Sequence, residues 1–396
     1  MKILFLTSRL PFPPVGGDKL RTFNFLKYIK KKHNLTIISF IDSEKDLEYI
    51  FEYRQYYDKL ITITLPKLQS YKNCLNGLFS PTPLQVHYYF SKKMKETVNK
   101  ELKNGYDTIF CHLIRMAQYL PADNNIYKVI DLTDAISLNY IRSKKFRRGI
   151  FSIINLIESK RVLNYEITAI DKSDKSILIS NIDRNFLLNN QNSDKIKIVA
   201  NGVDLNIFKF HQGYYDENQI SFIGNMRTFP NTDAVLYFVD AIFPKLKKVK
   251  PKLKFFIVGN EPSKEVLRIH DGKNILVTGY VDSVTSYIKN SVVTVAPMRV
   301  GAGIQNKILE AMAVGTPVVT TTIGAEGLDE NKLTIGNTPE EIYLKTLSLI
   351  ENKKLRQKKS LIGREYIEKN FSWEIKLKNL DQYLTNSHQS ECGKIQ

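Results

Sequence analysis

The sequence predicts an α/β protein made of two doubly wound, parallel-sheet domains. Three observations carry that expectation: a length of 396 residues, short apolar runs alternating with helix-like stretches, and a restart of the pattern after a polar segment in mid-chain. A chain this long exceeds one ordinary hydrophobic core, so two domains are expected. Nearly continuous Ile, Val and Phe runs are what a sheet covered on both faces requires.

In chain order, the runs of the first half are KILFLT at 2–7, LTIISF at 35–40, LITITL at 60–65, DTIFC at 107–111, YKVID at 127–131, KSILIS at 175–180 and KIKIV at 195–199. The polar KFHQGYYDEN at 209–218 reads as a linker between a first domain of residues 1–210 and a second of residues 217–371. There the pattern resumes with QISFIG at 219–224, KFFIVG at 254–259, NILVTG at 274–279, VVTVAP at 292–297, PVVTT at 317–321 and KLTIG at 332–336. NTDAVLYFVDAIFPKL spaces Ala234, Val235, Phe238, Ala241 and Ile242 as one helix face. The last helix candidate, SWEIKLKNLDQYL, carries Trp373, Leu377, Leu380 and Leu384 on one side and needs a surface to bury it. Ligands of such sheets sit beyond the carboxyl ends of the strands, here most naturally in a cleft between two facing sheets.

The net charge of +18 favours an anionic partner, whether nucleic acid, membrane surface or phosphorylated substrate. A general richness in Lys, Asn and Ile is the plain alternative. Three cysteines, Cys74, Cys111 and Cys392, are too few and too far apart for a disulfide framework or a zinc site, which fits a reducing cytoplasm. MKILFLTSRLPFPP reads as a buried first strand, not a signal peptide. No apolar run approaches the ~18 residues that span a bilayer.

The most informative segment is RVGAGIQNKILEAMAVGTPVV at 299–319. It follows a strand, so Arg299 to Gly303 form a loop and a helix begins near Gln305, stopped by Gly315 and Pro317. Lys307 in the first turn opposes the helix dipole unless an anion is present. Arg299, Gly301, Ala302 and Gly303 complete a loop suited to phosphate. Glu310 shares a face with Lys307. Its acceptor-only carboxylate suits neighbouring hydroxyls such as those of a ribose, so the set points to a nucleotide. A solvated Lys–Glu pair on a surface helix is the bland alternative.

A second glycine loop, SRLPFPPVGGDKLR, precedes a helix starting near Asp18. Gly16 and Gly17 would offer amides to an anion or sugar, or form a plain tight turn. It is not the dinucleotide-binding GxGxxG, and the chain lacks Asp-x-Asp, HExxH, GxSxG and GxxxxGK[ST]. His112, Asp131 and Asp134 lie at strand ends where acid–base groups belong in this architecture; structural histidine and helix-capping aspartates account for them equally. Lysines 27, 30, 31 and 32, lysines 92, 93 and 95, and Arg142, Lys144, Lys145, Arg147 and Arg148 form basic clusters. The last runs into GIFSIINLI, a stretch suited to an anionic membrane surface or to a solvated helix face. Few aromatics interleave these runs, which argues against nucleic acid.

Residues 299–328 resemble the donor-binding region of glycosyltransferase family 4, a group of retaining GT-B enzymes. TSRLPFPPVGGDKLRTFNFL, VANGVDLNIF and FIGNMRTFPNTDAVLYFVDAIFP agree, and the chain looks most like bacterial transferases of exopolysaccharide and cell-surface polysaccharide assembly. The resemblance implies two facing Rossmann-like domains, with a C-terminal helix at 372–390 returning to the first, acceptor-side domain. It implies hexosyl transfer from a nucleotide sugar to a glycan or lipid-linked acceptor, with retention, without a metal or other cofactor. Glu310 would hold the ribose, and Arg299 and Lys307 the diphosphate. Gly301 and Gly303 would face phosphate and sugar, the backbone at Tyr280 and Val281 the base, and Gly16 and Gly17 the diphosphate from the other domain. Gly224 and Arg227 stand where the family has a GR pair, Thr133 and Asp134 where it has His-Asp, and Ala302 where many members carry a first glutamate. A cytoplasmic location is implied, with the inner face of the plasma membrane as the peripheral variant. A nucleotide-sugar epimerase of the same architecture and a basic module binding membrane or nucleic acid are the alternatives.

Overall fold

The computed structural model describes every residue except 15, 42–43, 123–124, 145–149, 189–192, 214, 302 and 386–396. Contacts divide the chain into one unit of Met1–Val199 with Leu377–Gln396 and a second of Ala200–Lys376.

The first unit holds a seven-stranded sheet of β1 (Lys2–Thr7), β2 (Asn34–Ile41), β3 (Lys59–Thr64), β4 (Thr108–His112), β5 (Tyr127–Thr133), β6 (Lys175–Leu178) and β7 (Ile196–Ile198). The order is β3-β2-β1-β4-β5-β6-β7, and every pairing is parallel. The second unit holds β8 (Asp216–Ile223), β9 (Lys254–Val258), β10 (Ile275–Gly279), β11 (Ser291–Ala296), β12 (Val318–Thr320) and β13 (Thr334–Ile335), ordered β10-β9-β8-β11-β12-β13 and again all parallel. Each expected apolar run is a strand; the central ones lie in an interior covered from both sides, where Ile3 to Leu6, Ile109 to Cys111 and Val292 to Ala296 are essentially inaccessible, while the edge strands β3 and β10 are mostly half-buried. Phe5 stacks on Phe110 across β1 and β4 at 4.7 Å between centroids. Phe238 and Phe243 pack on Phe255 in the second core.

Strand order reverses between β1 and β4 in one sheet and between β8 and β11 in the other. At such a switch point the connections leave to opposite faces and open a crevice at the carboxyl ends. The loops after β1, β4, β8 and β11 therefore border the two crevices, and these loops contain the glycine and charged segments singled out above.

Two expected boundaries move. The division falls between Val199 and Ala200, not at 210–217, because Ala200, Val203 and Phe208 are buried in the second unit's core with Met312 and Phe371. The expected linker is partly strand, since β8 starts at Asp216. The single helix expected at 372–390 is two short ones within the described residues, Trp373–Leu377 and Leu380–Tyr383. Trp373 belongs to the second unit, where its backbone and ring fill the space beside Gly202. From Leu377 on the chain belongs to the first unit, so the two halves serve different cores. Asp381 ties the last helix down by accepting from Tyr28 at 3.3 Å and pairing with Lys32 and His33. Among the described residues no helix is long and apolar enough to cross a membrane.

Leu380 and Leu384 are fully buried. Replacing either with Ala is expected to cost about 2–5 kcal/mol in urea unfolding of the full chain; a change below about 1 kcal/mol would show that the last helix is peripheral to the first core.

Candidate functional site

Past β11 the chain turns through Arg299, Gly301 and Gly303 into the helix Asn306–Val314, with Gln305 at its N-cap. Gly301 and Gly303 have φ of 156° and 68°, values that side chains other than glycine's disfavour. Gly315, at φ 92°, ends the helix by donating to Ala311 and Met312 carbonyls. Lys307 is buried. Its Nζ donates to Asn231 Oδ1 at 2.8 Å and Gln305 Oε1 at 3.1 Å, lies 3.8 Å from Met298 Sδ, and sits 5.2 Å from the Phe222 ring centroid. Among the described residues no carboxylate forms an ion pair with it. Burial lowers its pKa to about 8, only partly opposed by Glu310. Half-buried Glu310 is pushed up to about 7 by the same burial, and it makes no hydrogen bond or ion pair with any described residue. The bland alternative of a solvated Lys–Glu surface pair does not describe them: Lys307 is buried and Glu310 half-buried, each held away from its ordinary ionisation range.

Arg299 is not poised alone. Its guanidinium forks onto Asp233 at 2.6 and 3.0 Å and lies 4.4 Å from the Tyr237 ring centroid. Asn231, Asp233 and Gln305 were not among the sequence candidates. The signal was available in FPNTDAV, where three consecutive polar residues open an otherwise apolar helix, Phe229–Ala241.

Gly224 and Gly259 form the floor after β8 and β9. A Cβ on Gly259 would fall 1.7 Å from the Gly224 carbonyl oxygen, at φ 151°, so the two backbones approach in a way only glycine permits. Arg227 is exposed and pairs with Glu261 at 3.1 Å, and Tyr280 is exposed past β10 while Val281 is half-buried. Ala302 lies outside the described residues.

In the first unit, Gly16 is exposed at φ 94° and the helix Gly17–Lys30 starts directly after it. Asp18 in its first turn pairs with Arg9 at 3.4 Å; burial would raise its pKa, but Arg9 and Arg115 outweigh burial and hold it below the ordinary value. Asp131 is completely buried and both its oxygens are occupied. Arg21 donates to each at 2.8 Å, and His112 Nδ1 lies 2.9 Å from Oδ2. Burial opposes its ionisation, yet Arg21 and His112 hold it far below the usual aspartate range. Asp131, one of the catalytic candidates, thus spends its hydrogen bonds on Arg21 and His112. An ionised Asp131 fixes the proton on Nδ1 of His112, and His112 Nε2 is buried with no hydrogen-bond partner.

Asp134 accepts from Asn139 at 2.9 Å, and burial together with Asp183 raises it to about 7. Buried Glu166, on the helix Ile150–Asp171 and not among the sequence candidates, is raised to about 8 by burial and accepts hydrogen bonds from Ser137. Among the described residues no group of three or more His, Cys, Asp and Glu side chains is arranged to hold a metal ion. A cavity of ≈ 590 Å³ at the amino edge of the second sheet, lined by Tyr215, Ser291, Pro317 and Arg356, contains none of the sequence candidates.

Comparison with known proteins places this geometry. TarM of S. aureus matches with a TM-score of 0.71 at 14% identity, over 98% of this chain and 99% of that one. The fold is GT-B. Residues 217–352, all within the second GT-B unit, match the family described as Glycosyl transferases group 1. An uncharacterized glycosyltransferase of Methanocaldococcus jannaschii is 29% identical over 386 residues, 94% of this chain and 95% of its own. An uncharacterized protein of the cps region of Klebsiella pneumoniae is 23% identical over 350 residues, 83% and 85% of the two chains. The matched segment runs from the second residue of β8 to beyond β13 and contains every candidate of the second GT-B unit.

The Arg21–Asp131 pair yields a direct expectation. Arg21→Met leaves a buried carboxylate without its partner and should lower unfolding free energy by about 3–5 kcal/mol. Since the native pKa of Asp131 is depressed, the stability it contributes is present above the usual aspartate range and lost as pH falls through its native value. A urea titration of the variant that shifted by less than about 1 kcal/mol would contradict the assignment.

Proposed function

We propose that the protein is a glycosyltransferase that binds a nucleotide-diphosphate sugar at the carboxyl edge of its second sheet. The sugar passes to a hydroxyl of a glycan or lipid-linked acceptor, with retention of configuration and without a metal. The observation that carries this reading is the half-buried Glu310 carboxylate, unpartnered among the described residues, near buried Lys307 on a helix that opens from the Gly301–Gly303 loop. An unpartnered acceptor suits ribose hydroxyls, and a desolvated ammonium at a helix amino end suits phosphate. The match of residues 217–352 to glycosyl transferases group 1 supports it, as does TarM, a structural neighbour also solved with UDP. The relative from a cps region points towards surface polysaccharide.

On this reading Asn231 and Gln305 take two of the three Lys307 donors, and the third, which meets only the weak acceptor Met298 Sδ, turns to a phosphate oxygen. Arg299, held by Asp233 and Tyr237, is a positioned cation and not a mobile one. As the sugar–phosphate bond breaks, charge grows on the diphosphate, and these cations with the helix amides stabilise it in a water-poor site. In the first unit His112 Nε2, with Nδ1 committed to Asp131, is the group proposed to bond a sugar or acceptor hydroxyl. The inner face of the plasma membrane is the proposed place of action.

Thermal unfolding with UDP-, GDP-, ADP- and CMP-sugars is the test. One nucleotide class should raise Tm by several degrees, since ligand at a hundred times Kd adds about 2.7 kcal/mol, and Glu310→Ala should remove most of the shift while leaving unliganded Tm within about 2 °C. No response to any nucleotide would overturn the reading; turnover of nucleotide sugar without acceptor or hydrolysis product would favour an epimerase. Binding should also depend on pH. Lys307 is cationic below about 8, so calorimetric affinity for the nucleoside diphosphate should fall as pH rises from 7 to 9; a flat profile would remove Lys307 from the phosphate site.

A further inference from the structure

The helix Lys67–Asn76 is turned inside out. Ser70 is fully buried, Cys74 Sγ lies 3.5 Å from the Leu84 carbonyl, and Asn73 Nδ2 donates to the Phe90 carbonyl at 2.9 Å. Its small and polar side chains thus face the protein. The opposite face carries Leu68, Tyr71 and Leu75, exposed by 68%, 59% and 66%, and the turn that follows presents Phe79 at 98%. Residues 68, 71 and 75 repeat at the i, i+3, i+7 spacing of one helix face. Water alone would drive such a face inward, so a contiguous exposed set of this size marks a surface that meets something apolar.

The segment is fixed, and its charge has one sign. Arg161, on the helix Ile150–Asp171, donates to the Leu78 carbonyl at 2.5 Å, and Glu158 of the same helix accepts from Leu84 N at 2.9 Å. Ile154 and Ile157, two turns and one turn before Arg161, are again exposed. Between Lys59 and Glu96 the sequence has no Asp or Glu, but it has Lys67, Lys72, Lys92, Lys93 and Lys95. All five lysines are exposed, and Phe90, whose carbonyl Asn73 holds, stands just before Lys92. An apolar helix face flanked by lysines and free of acids complements a surface of negative headgroups over hydrocarbon.

We propose that Leu68, Tyr71, Leu75 and Phe79 form a docking surface for an anionic lipid bilayer, into whose headgroup layer they insert while the neighbouring lysines meet the phosphates. This goes beyond the reaction proposed above and does not rest on it, because the surface lies wholly in the first unit and uses none of the nucleotide-site residues. It is also distinct from the 142–157 segment, part of which lies outside the described residues.

The test is co-sedimentation of the full chain with vesicles of phosphatidylcholine alone and of phosphatidylcholine with 30% phosphatidylglycerol, without nucleotide. Binding to the anionic vesicles should be at least about tenfold tighter and weaken in 0.5 M salt, and the double variant Leu75→Glu, Phe79→Glu should lose at least about tenfold. Phe79→Trp supplies an independent readout, as the emission of the introduced indole should shift to the blue on adding anionic vesicles against the buried Trp373 background. Failure of the wild type to bind, undiminished binding by the double variant, or an unmoved emission from the introduced indole would each overturn the proposal. Light scattering that shows a dimer broken by the double variant, with no vesicle binding, would assign the face to a second copy of the chain instead. Nucleotide-induced thermal stabilisation of the double variant should match wild type, so a failure here leaves the nucleotide reading to stand or fall separately.

Discussion

A sheet whose strands all run parallel has to be covered on both faces, and that constraint governs where charge appears in this chain. The interiors of β1, β4 and β11 and the second half of β8 are inaccessible and mostly apolar. The buried charges of the candidate sites gather near the carboxyl ends of the strands, and there they must be matched by bidentate pairs or by neutral acceptors. Arg21 on Asp131 and Arg299 on Asp233 are the bidentate solutions; Lys307 among Asn231, Gln305 and the Phe222 ring is the neutral one. The candidate groups of both units follow from one rule of strand direction and cover.

The two units apply the rule differently. In the first, Asp131 is saturated, and its effect is to place His112 with one committed nitrogen and one free of any hydrogen bond. In the second, a buried Lys307 and a half-buried Glu310 form no ion pair, and burial weakens the hold of each on its charge, lowering the lysine to about 8 and raising the glutamate to about 7, so both respond to a ligand that brings its own charge and hydroxyls. A saturated cluster contributes rigidity, whereas an unsaturated one stores the desolvation cost that a ligand relieves. The second edge is therefore the more informative for binding, and the first for orientation.

Much of this was legible in the sequence because periodicity and punctuation are local. Thirteen apolar runs mark thirteen strands, Gly315 marks a helix end, and the glycine loops mark the crevices. Partners distant along the chain were not legible: Asp131 meets Arg21 across 110 positions and Arg299 meets Asp233 across 66. No local pattern encodes either. Glu166 is one of several charged residues on the helix Ile150–Asp171, and nothing local marks it as the buried one; likewise the inverted helix at Lys67–Asn76 cannot be told from an ordinary amphipathic one until the side that packs is known. The domain boundary was misplaced for a related reason, since polar composition around 209–218 suggested a linker while Ala200, Val203 and Phe208 had already joined the second core.

The central claim is that the loop after β11 and the helix it opens are where a nucleoside diphosphate is held. Amide hydrogen exchange of the full chain, with and without the nucleotide that stabilises it, tests this most directly. Slowed exchange in peptides spanning 299–310, with no change around the amino-edge cavity at 353–361, is the predicted pattern. Protection confined to the amino edge, or none in 299–310 under saturating nucleotide, would contradict the account.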